Sequence, residues 1–144
     1  MIGITGATGH LGREVITNLA RLKQPNRGVV ACTRHPETAD LPTDIVNEVR
    51  YADFGNPASL LEAFSGVDTL LMISVEGNDE DRIRLHATAV DAARRAGVKR
   101  IVYTSFFDVA PASPSAVARV HRLTEAHIMA SGCAWTMLRN APVH

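Results

Sequence analysis

The residues Gly6-Ala7-Thr8-Gly9-His10-Leu11-Gly12 follow directly on a short apolar run, Met1 to Thr5, and directly precede an amphipathic segment. Few folds place three glycines there. A chain that turns sharply from strand to helix, brings its backbone against a bulky anion and packs the helix tightly on the sheet gives up a side chain at each step. The N–H groups of the helix start are then left facing phosphate oxygens. The spacing is G-x-x-G-x-x-G, a variant of the dinucleotide-binding G-x-G-x-x-G within the same logic. A merely structural turn is the alternative reading. A nucleoside triphosphate loop is not supported, because no Gly-Lys-Ser/Thr follows.

The rest of the chain continues the rhythm. Leu11, Val15, Ile16 and Leu19 recur at helical spacing and predict a helix from about His10 to Leu22. Pro25-Asn26-Arg27-Gly28 reads as a turn and Val29 to Thr33 as a second strand. Glu48 to Ala52 reads as the third strand. Asn56-Pro57 opens a short helix that Ser65-Gly66 closes. Asp68 to Val75 is a nearly continuous apolar run, as expected of a central parallel strand. Asn78 to Asp81 starts a helix that stops at Gly97, and Arg100 to Thr104 is the fifth strand. Ser113-Pro114 opens a helix carrying Val117, Val120, Thr124 and Ile128 on one face, and Ala134 to Leu138 is the sixth strand. Strands alternating with helices predict an α/β fold: a Rossmann-type, doubly wound parallel sheet in the order 3-2-1-4-5-6, with helices on both faces. Ligands in such sheets lie at the carboxyl ends of the strands, near the switch between strands one and four.

The residues after each strand therefore carry the functional reading. NAD binders place a carboxylate at the end of strand two, for the ribose hydroxyls. Here that place holds Thr33-Arg34-His35. Arg34 has the charge and planar fork to grip a 2′-phosphate, which points to NADP(H) in preference to NAD(H); a solvated loop arginine is the alternative. After strand three, Asp53 either accepts from an adenine amine, with Phe54 as an apolar wall, or starts a turn. After strand four, Ile73-Ser74-Val75 would pass beneath the nicotinamide-side ribose, through backbone contacts rather than chemistry from Ser74.

Composition narrows the class. The 144 residues fit one domain, 1–144, and 46% hydrophobic with 21% charged residues suits a folded globular chain. Fifteen basic residues balance fifteen acidic ones, so no global field draws the chain to nucleic acid. No apolar run approaches the ~20 residues needed for membrane insertion, and the N-terminus lacks a signal-peptide pattern, so a cytoplasmic location is expected. Cys32 and Cys133 read as unpaired thiols. No zinc-type histidine spacing and no Gly-x-Ser-x-Gly elbow occurs.

With these segments placed, the chain resembles the NmrA-like branch of the atypical short-chain dehydrogenases. Within that branch it is similar to the bacterial type-2 NAD(P)H:quinone oxidoreductases. The matching stretches include Ile4 to Gly12, Thr33 to Pro36, Tyr51 to Phe54, Leu70 to Ser74, Ala92 to Lys99, Val102 to Ser105, His121 with Thr124-Glu125, and Thr136 to Asn140. The resemblance implies an NADP(H)-binding fold that delivers hydride to a quinone-like acceptor near His121 and Asn140. It equally admits a dinucleotide sensor without turnover. His121, on the apolar face of its helix, would protonate or orient a quinone oxygen, or else is a packing histidine. Thr104 and Ser105 lie where dehydrogenases keep a hydroxyl near the reacting carbonyl, with loop capping as the alternative. His86 and His127 read as structural. Two departures stand out. The dehydrogenase pair Tyr-x-x-x-Lys is absent, since neither Tyr51 nor Tyr103 has a lysine four residues on. The chain also stops at Asn140-Ala141-Pro142-Val143-His144, where relatives continue into a substrate lobe. A partial domain without an acceptor pocket is thus a third reading, and apolar surface left by a missing lobe would favour self-association into a homo-oligomer.

Overall fold

The computed structural model describes residues 1–22 and 28–141. Six parallel strands form one sheet: β1 (Ile2–Ile4), β2 (Val29–Thr33), β3 (Val46–Tyr51), β4 (Thr69–Met72), β5 (Arg100–Phe106) and β6 (Ala134–Asn140). Their spatial order is β3-β2-β1-β4-β5-β6, as the alternating pattern predicts. The connections carry α1 (His10–Leu22), a single 3-10 turn at Pro36–Thr38, α2 (Pro57–Ala63), α3 (Asp79–Ala96) and α4 (Val117–Ala130). The turn expected at Pro25-Asn26-Arg27-Gly28 falls, up to Arg27, outside the described residues.

The sheet separates two cores. Leu70, Met72, Ile101 and Tyr103 pack with Leu60 of α2, Val90 of α3 and Ile128 of α4. On the opposite face, Ile16 of α1 packs with Ile4, Val29, Ala31 and Val46. Strand alternation turns Val102 away from the first core. Val102 is only half-buried, and Leu138, level with Thr104 on β6, is 41% exposed. The β5–β6 end of the α1 face is therefore thinly covered.

Several boundaries differ from the sequence reading. The apolar run Asp68 to Val75 yields a strand only to Met72, because the next three amides leave the sheet for side-chain acceptors described below. β3 starts two residues early, and β5 and β6 each run two residues further than expected. Helix α4 begins at Val117, not at Ser113-Pro114. The Ser113 hydroxyl accepts from the Ser115 amide two residues on, at 3.3 Å, which makes a local serine turn instead of a helix cap. Asn56 and Asn78 do cap as expected, accepting from Ser59 and Asp81 amides.

The glycine loop owes its path to two positions. Gly6 has φ +60°, in the left-handed region where a side chain is strained. Gly12 lies so close beneath the loop that a Cβ would stand 2.3 Å from the Gly6 carbonyl oxygen and 2.8 Å from Ala7 Cα. Both obstacles are backbone, so Gly12→Ala must push α1 away from the sheet. A loss of about 1–3 kcal/mol is expected from such overpacking; an unchanged urea midpoint would contradict this placement.

Candidate functional site

The carboxyl ends of β1, β2, β4 and β5 converge on the switch point. Within the glycine loop, the Gly9 amide donates to the Gly6 carbonyl at 3.0 Å. The amides of Thr8, His10 and Leu11 have no backbone acceptor among the described residues, as the first turn of a helix requires. His10 and Leu11 are exposed at this end. Arg13 braces the loop from outside: its Nε donates to the Thr8 carbonyl at 2.9 Å and its terminal nitrogen to the Asp40 carbonyl at 2.7 Å. A cleft of ≈440 Å³ beside this brace is lined by Arg13, Thr17, Asp40, Leu41 and Pro42, and contains none of the strand-end residues.

The Thr8 and Thr33 hydroxyls lie 3.3 Å apart, which ties the glycine loop to the end of β2. The Thr33 hydroxyl also accepts from the His35 amide. Arg34, between them in sequence, is exposed and makes no ion pair or hydrogen bond among the described residues. At the end of β3, Asp53 Oδ1 accepts from the Gly55 amide at 2.8 Å, so this carboxylate does start a turn. Phe54 is buried in the main core, against the α2 side of the sheet.

Beyond β4, three successive amides are taken by three side chains. Ile73 donates to Thr5 Oγ1, Ser74 to Thr104 Oγ1 and Val75 to His86 Nε2, each at 2.9 Å. The Val75 carbonyl accepts from Arg82 Nε at 2.7 Å. This segment is thus held from just after β1, from β5 and from α3 together. Thr104 serves here as an anchor for the loop. Ser105, its neighbour, faces the other side of the sheet and donates to Glu125 Oε2. Asn140 ends β6 exposed, its carbonyl accepting from the Phe107 amide.

His121 is buried where α4 meets β5, its ring stacked beside Phe106 at 6.1 Å. Its Nδ1 lies 2.7 Å from the Tyr103 hydroxyl, and His86 Nδ1 lies 2.9 Å from Thr124 Oγ1. Burial, with the Arg82 charge adding to it, lowers His86 to about 3 and His121 to about 4. Both rings are therefore neutral at pH 7. Glu125 is 2% exposed and receives both Arg139 nitrogens, at 3.1 and 2.7 Å. Burial alone would raise its carboxyl, but the Arg139 and Ser105 hydrogen bonds hold it below the ordinary value.

The sequence reading singled out His121 but not this surrounding network. In the sequence Tyr103 stands out only as a tyrosine without its lysine, and His86 as a structural residue. One signal was available. Glu125 stands four residues from His121 on the same apolar stripe, and a carboxylate there demands a cation, which the end of β6 supplies.

Comparison with known proteins places this geometry. A family model described as NAD(P)H-binding matches residues 6–143. Quinone oxidoreductase 2 of Escherichia coli is 41% identical over 140 residues, covering 97% of this chain and 48% of the relative. An NmrA-like family domain-containing oxidoreductase of Aspergillus flavus is 34% identical, covering 94% and 46%. The solved structure of Citrobacter sp. triphenylmethane reductase complexed with NADP(H) superposes with a TM-score of 0.91 at 42% identity, covering 99% and 50%. The chain spans about half the length of these relatives.

The neutral histidines make the fold acid-sensitive. Unfolded, each takes up a proton below about pH 6.5, whereas folded they resist protonation down to about 3 and 4. The unfolded chain then binds more protons, so stability falls as pH drops from 6.5 toward 4. The limiting slope is about 1.4 kcal/mol per pH unit for each ring. Glu125, with its value lowered, adds a loss at still lower pH. Thermal unfolding between pH 7 and 4 should show Tm declining from the upper end of that window; a flat Tm down to pH 4.5 would contradict the neutral assignment.

Proposed function

The chain belongs to the NAD(P)H-binding family, and on that footing we propose that it binds NADPH in preference to NADH and passes hydride to a quinone-like acceptor. The observation that carries the cofactor preference is Arg34. It is a guanidinium without a protein partner among the described residues, standing where an NAD binder keeps a carboxylate. The Thr8–Thr33 contact ties the residue before Arg34 to the glycine loop. A diphosphate on the amides of Thr8, His10 and Leu11 and a 2′-phosphate on Arg34 would then be held by one continuous surface. Gly6 and Gly9 keep that surface bare, and the free amides of Thr8, His10 and Leu11 suit an anion.

The remaining strand ends take the rest of the dinucleotide in this reading. Asp53 keeps one carboxylate oxygen for the adenine amine, with Phe54 behind it. Ile73, Ser74 and Val75 run beneath the nicotinamide ribose as a fixed backbone ledge. His121, Thr104 and Asn140 border the acceptor. The reduced nicotinamide supplies a hydride when bound. A quinone accepting that hydride and one solvent proton becomes a hydroquinone, driven by aromatisation, so no Tyr-x-x-x-Lys acid is required. His121, being neutral at pH 7, serves as a hydrogen-bonding group to the acceptor oxygen and not as a charged acid. No helix among the described residues is long and apolar enough to cross a membrane. With Cys32 and Cys133 both free thiols, we place the protein in the reducing cytoplasm.

Replacing Arg34 tests the cofactor reading. Arg34→Ala should weaken NADPH by about 10–100-fold, the value of a charge-assisted phosphate contact, and NADH by less than about twofold. Fluorescence titration with both cofactors measures this, and equal losses would refute it. NADPH oxidation across a panel of quinones tests the reaction. Tight NADPH binding with no turnover on any quinone would make the chain a dinucleotide-binding module instead.

A further inference from the structure

The hydrogen bonds behind His121 determine which of its nitrogens carries the proton. A backbone N–H can only donate, so the Val75 amide at 2.9 Å makes His86 Nε2 an acceptor. In the neutral ring the proton must then sit on His86 Nδ1, which donates to Thr124 Oγ1 at 2.9 Å. The Thr124 hydroxyl is free to receive it, because its own proton goes to the Val120 carbonyl at 2.9 Å. His86 Nδ1, 3.4 Å from the Tyr103 oxygen, is therefore closed to Tyr103 as an acceptor. Tyr103 is fully buried, and a buried hydroxyl proton needs a partner. The Thr124 hydroxyl also bears on the phenol but is taken up by His86 and Val120, and the close acceptor is His121 Nδ1, 2.7 Å away.

We infer that Tyr103 is a positioning residue that holds His121 in the tautomer protonated on Nε2, so that the ring offers a fixed N–H donor to the acceptor oxygen. The inference rests on the proposed function only for what that N–H meets. Among the described residues no buried side-chain polar atom lacks a partner. Among the described residues His121 Nε2 has no hydrogen-bond partner, so this atom reaches the surface beside Phe106. The groups that bear on this ring come from every side: Tyr103 on β5, His86 and Arg82 on α3, and Glu125 on its own helix. Arg82 and His86 contribute no acceptor that competes for the Tyr103 proton. Glu125 is engaged by Arg139 and Ser105. A donor fixed in this way is already oriented when charge develops on a reduced oxygen, without the ring having to ionise.

Long-range proton–nitrogen correlation spectra of the nitrogen-15-labelled chain test this directly, since they distinguish the two neutral tautomers of each histidine. At pH 7, His121 should show its proton on Nε2 and His86 on Nδ1. A His121 protonated on Nδ1 would overturn the inference whatever the activity. Tyr103→Phe should release His121 into a mixture of tautomers. It should also lower kcat for quinone reduction by roughly tenfold, below the loss for a whole oxyanion donor, while the Kd for NADPH stays within about twofold. An unchanged tautomer in Tyr103→Phe would equally overturn it. If that variant does not fold, 3-fluorotyrosine replaces both tyrosines, Tyr51 and Tyr103. The more acidic hydroxyl must then move the His121 Nδ1 resonance and leave those of His10 and His35 in place; no movement refutes the contact. Expected tautomers with no quinone turnover would leave the inference standing and remove the proposed reaction.

Discussion

A backbone that leaves a parallel sheet in the protein interior must find new acceptors for its amides, and the organisation of this molecule follows from where β4 finds them. Ile73, Ser74 and Val75 donate in turn to Thr5, just after β1, to Thr104 of β5 and to His86 of α3. An unpaired buried amide costs on the order of 1–3 kcal/mol, so these three bonds are strongly specified. They hold the ledge at the switch point, where the sheet order reverses and the strand ends part. The glycine loop lies across from that ledge, and the Thr5 hydroxyl that precedes it is one of the three acceptors. The shape of the dinucleotide cleft and the satisfaction of the backbone are thus one problem with one solution.

The same bonds set the proton arrangement deeper in the site. Because Val75 occupies His86 Nε2, the proton of that ring turns toward Thr124, and Tyr103 is left to His121. The rings of this cluster stay neutral although Arg82 and Glu125 bear on them, and the Glu125 charge is matched by Arg139. Glu125 and Arg139 join α4 to β6 with both guanidinium contacts made and a serine hydroxyl added. Removing Arg139 would leave the buried Glu125 carboxylate without its cation, which costs more than this half-exposed pair stabilises. The division is physically sensible. The histidine rings stay neutral inside the fold, while the ion pair has one exposed partner through which water still screens it.

Much of this was legible in the chain itself. The alternation of strands and helices, the glycine spacing and the capping asparagines yield the sheet order and the position of the glycine loop. Those signals are local: each rests on residues a few positions apart. Arg34 was legible for the same reason, because the place after β2 is reached by counting along the chain. Two boundaries differ because a side chain, distant in one case and local in the other, takes a backbone amide from the expected pattern. The apolar run to Val75 looks like strand throughout, and only Thr5, Thr104 and His86 draw its last three amides away. Ser113-Pro114 looks like a helix start, yet the Ser113 hydroxyl turns to the Ser115 amide instead.

The sequence by itself determined the class of fold, the glycine loop between β1 and α1 and the arginine that follows β2, because periodicity and glycine sterics act over short stretches. Only the tertiary structure decided what the buried polar residues do. It showed Tyr103, without its lysine, to be the hydrogen-bond partner of His121, made His86 the acceptor that orders the cluster, and set Thr104 and Ser105 on opposite faces of the sheet. The reason is distance along the chain. These hydrogen bonds join residues 11 to 30 positions apart, and donors and acceptors so separated acquire definite partners only when the sheet and helices have fixed them in place.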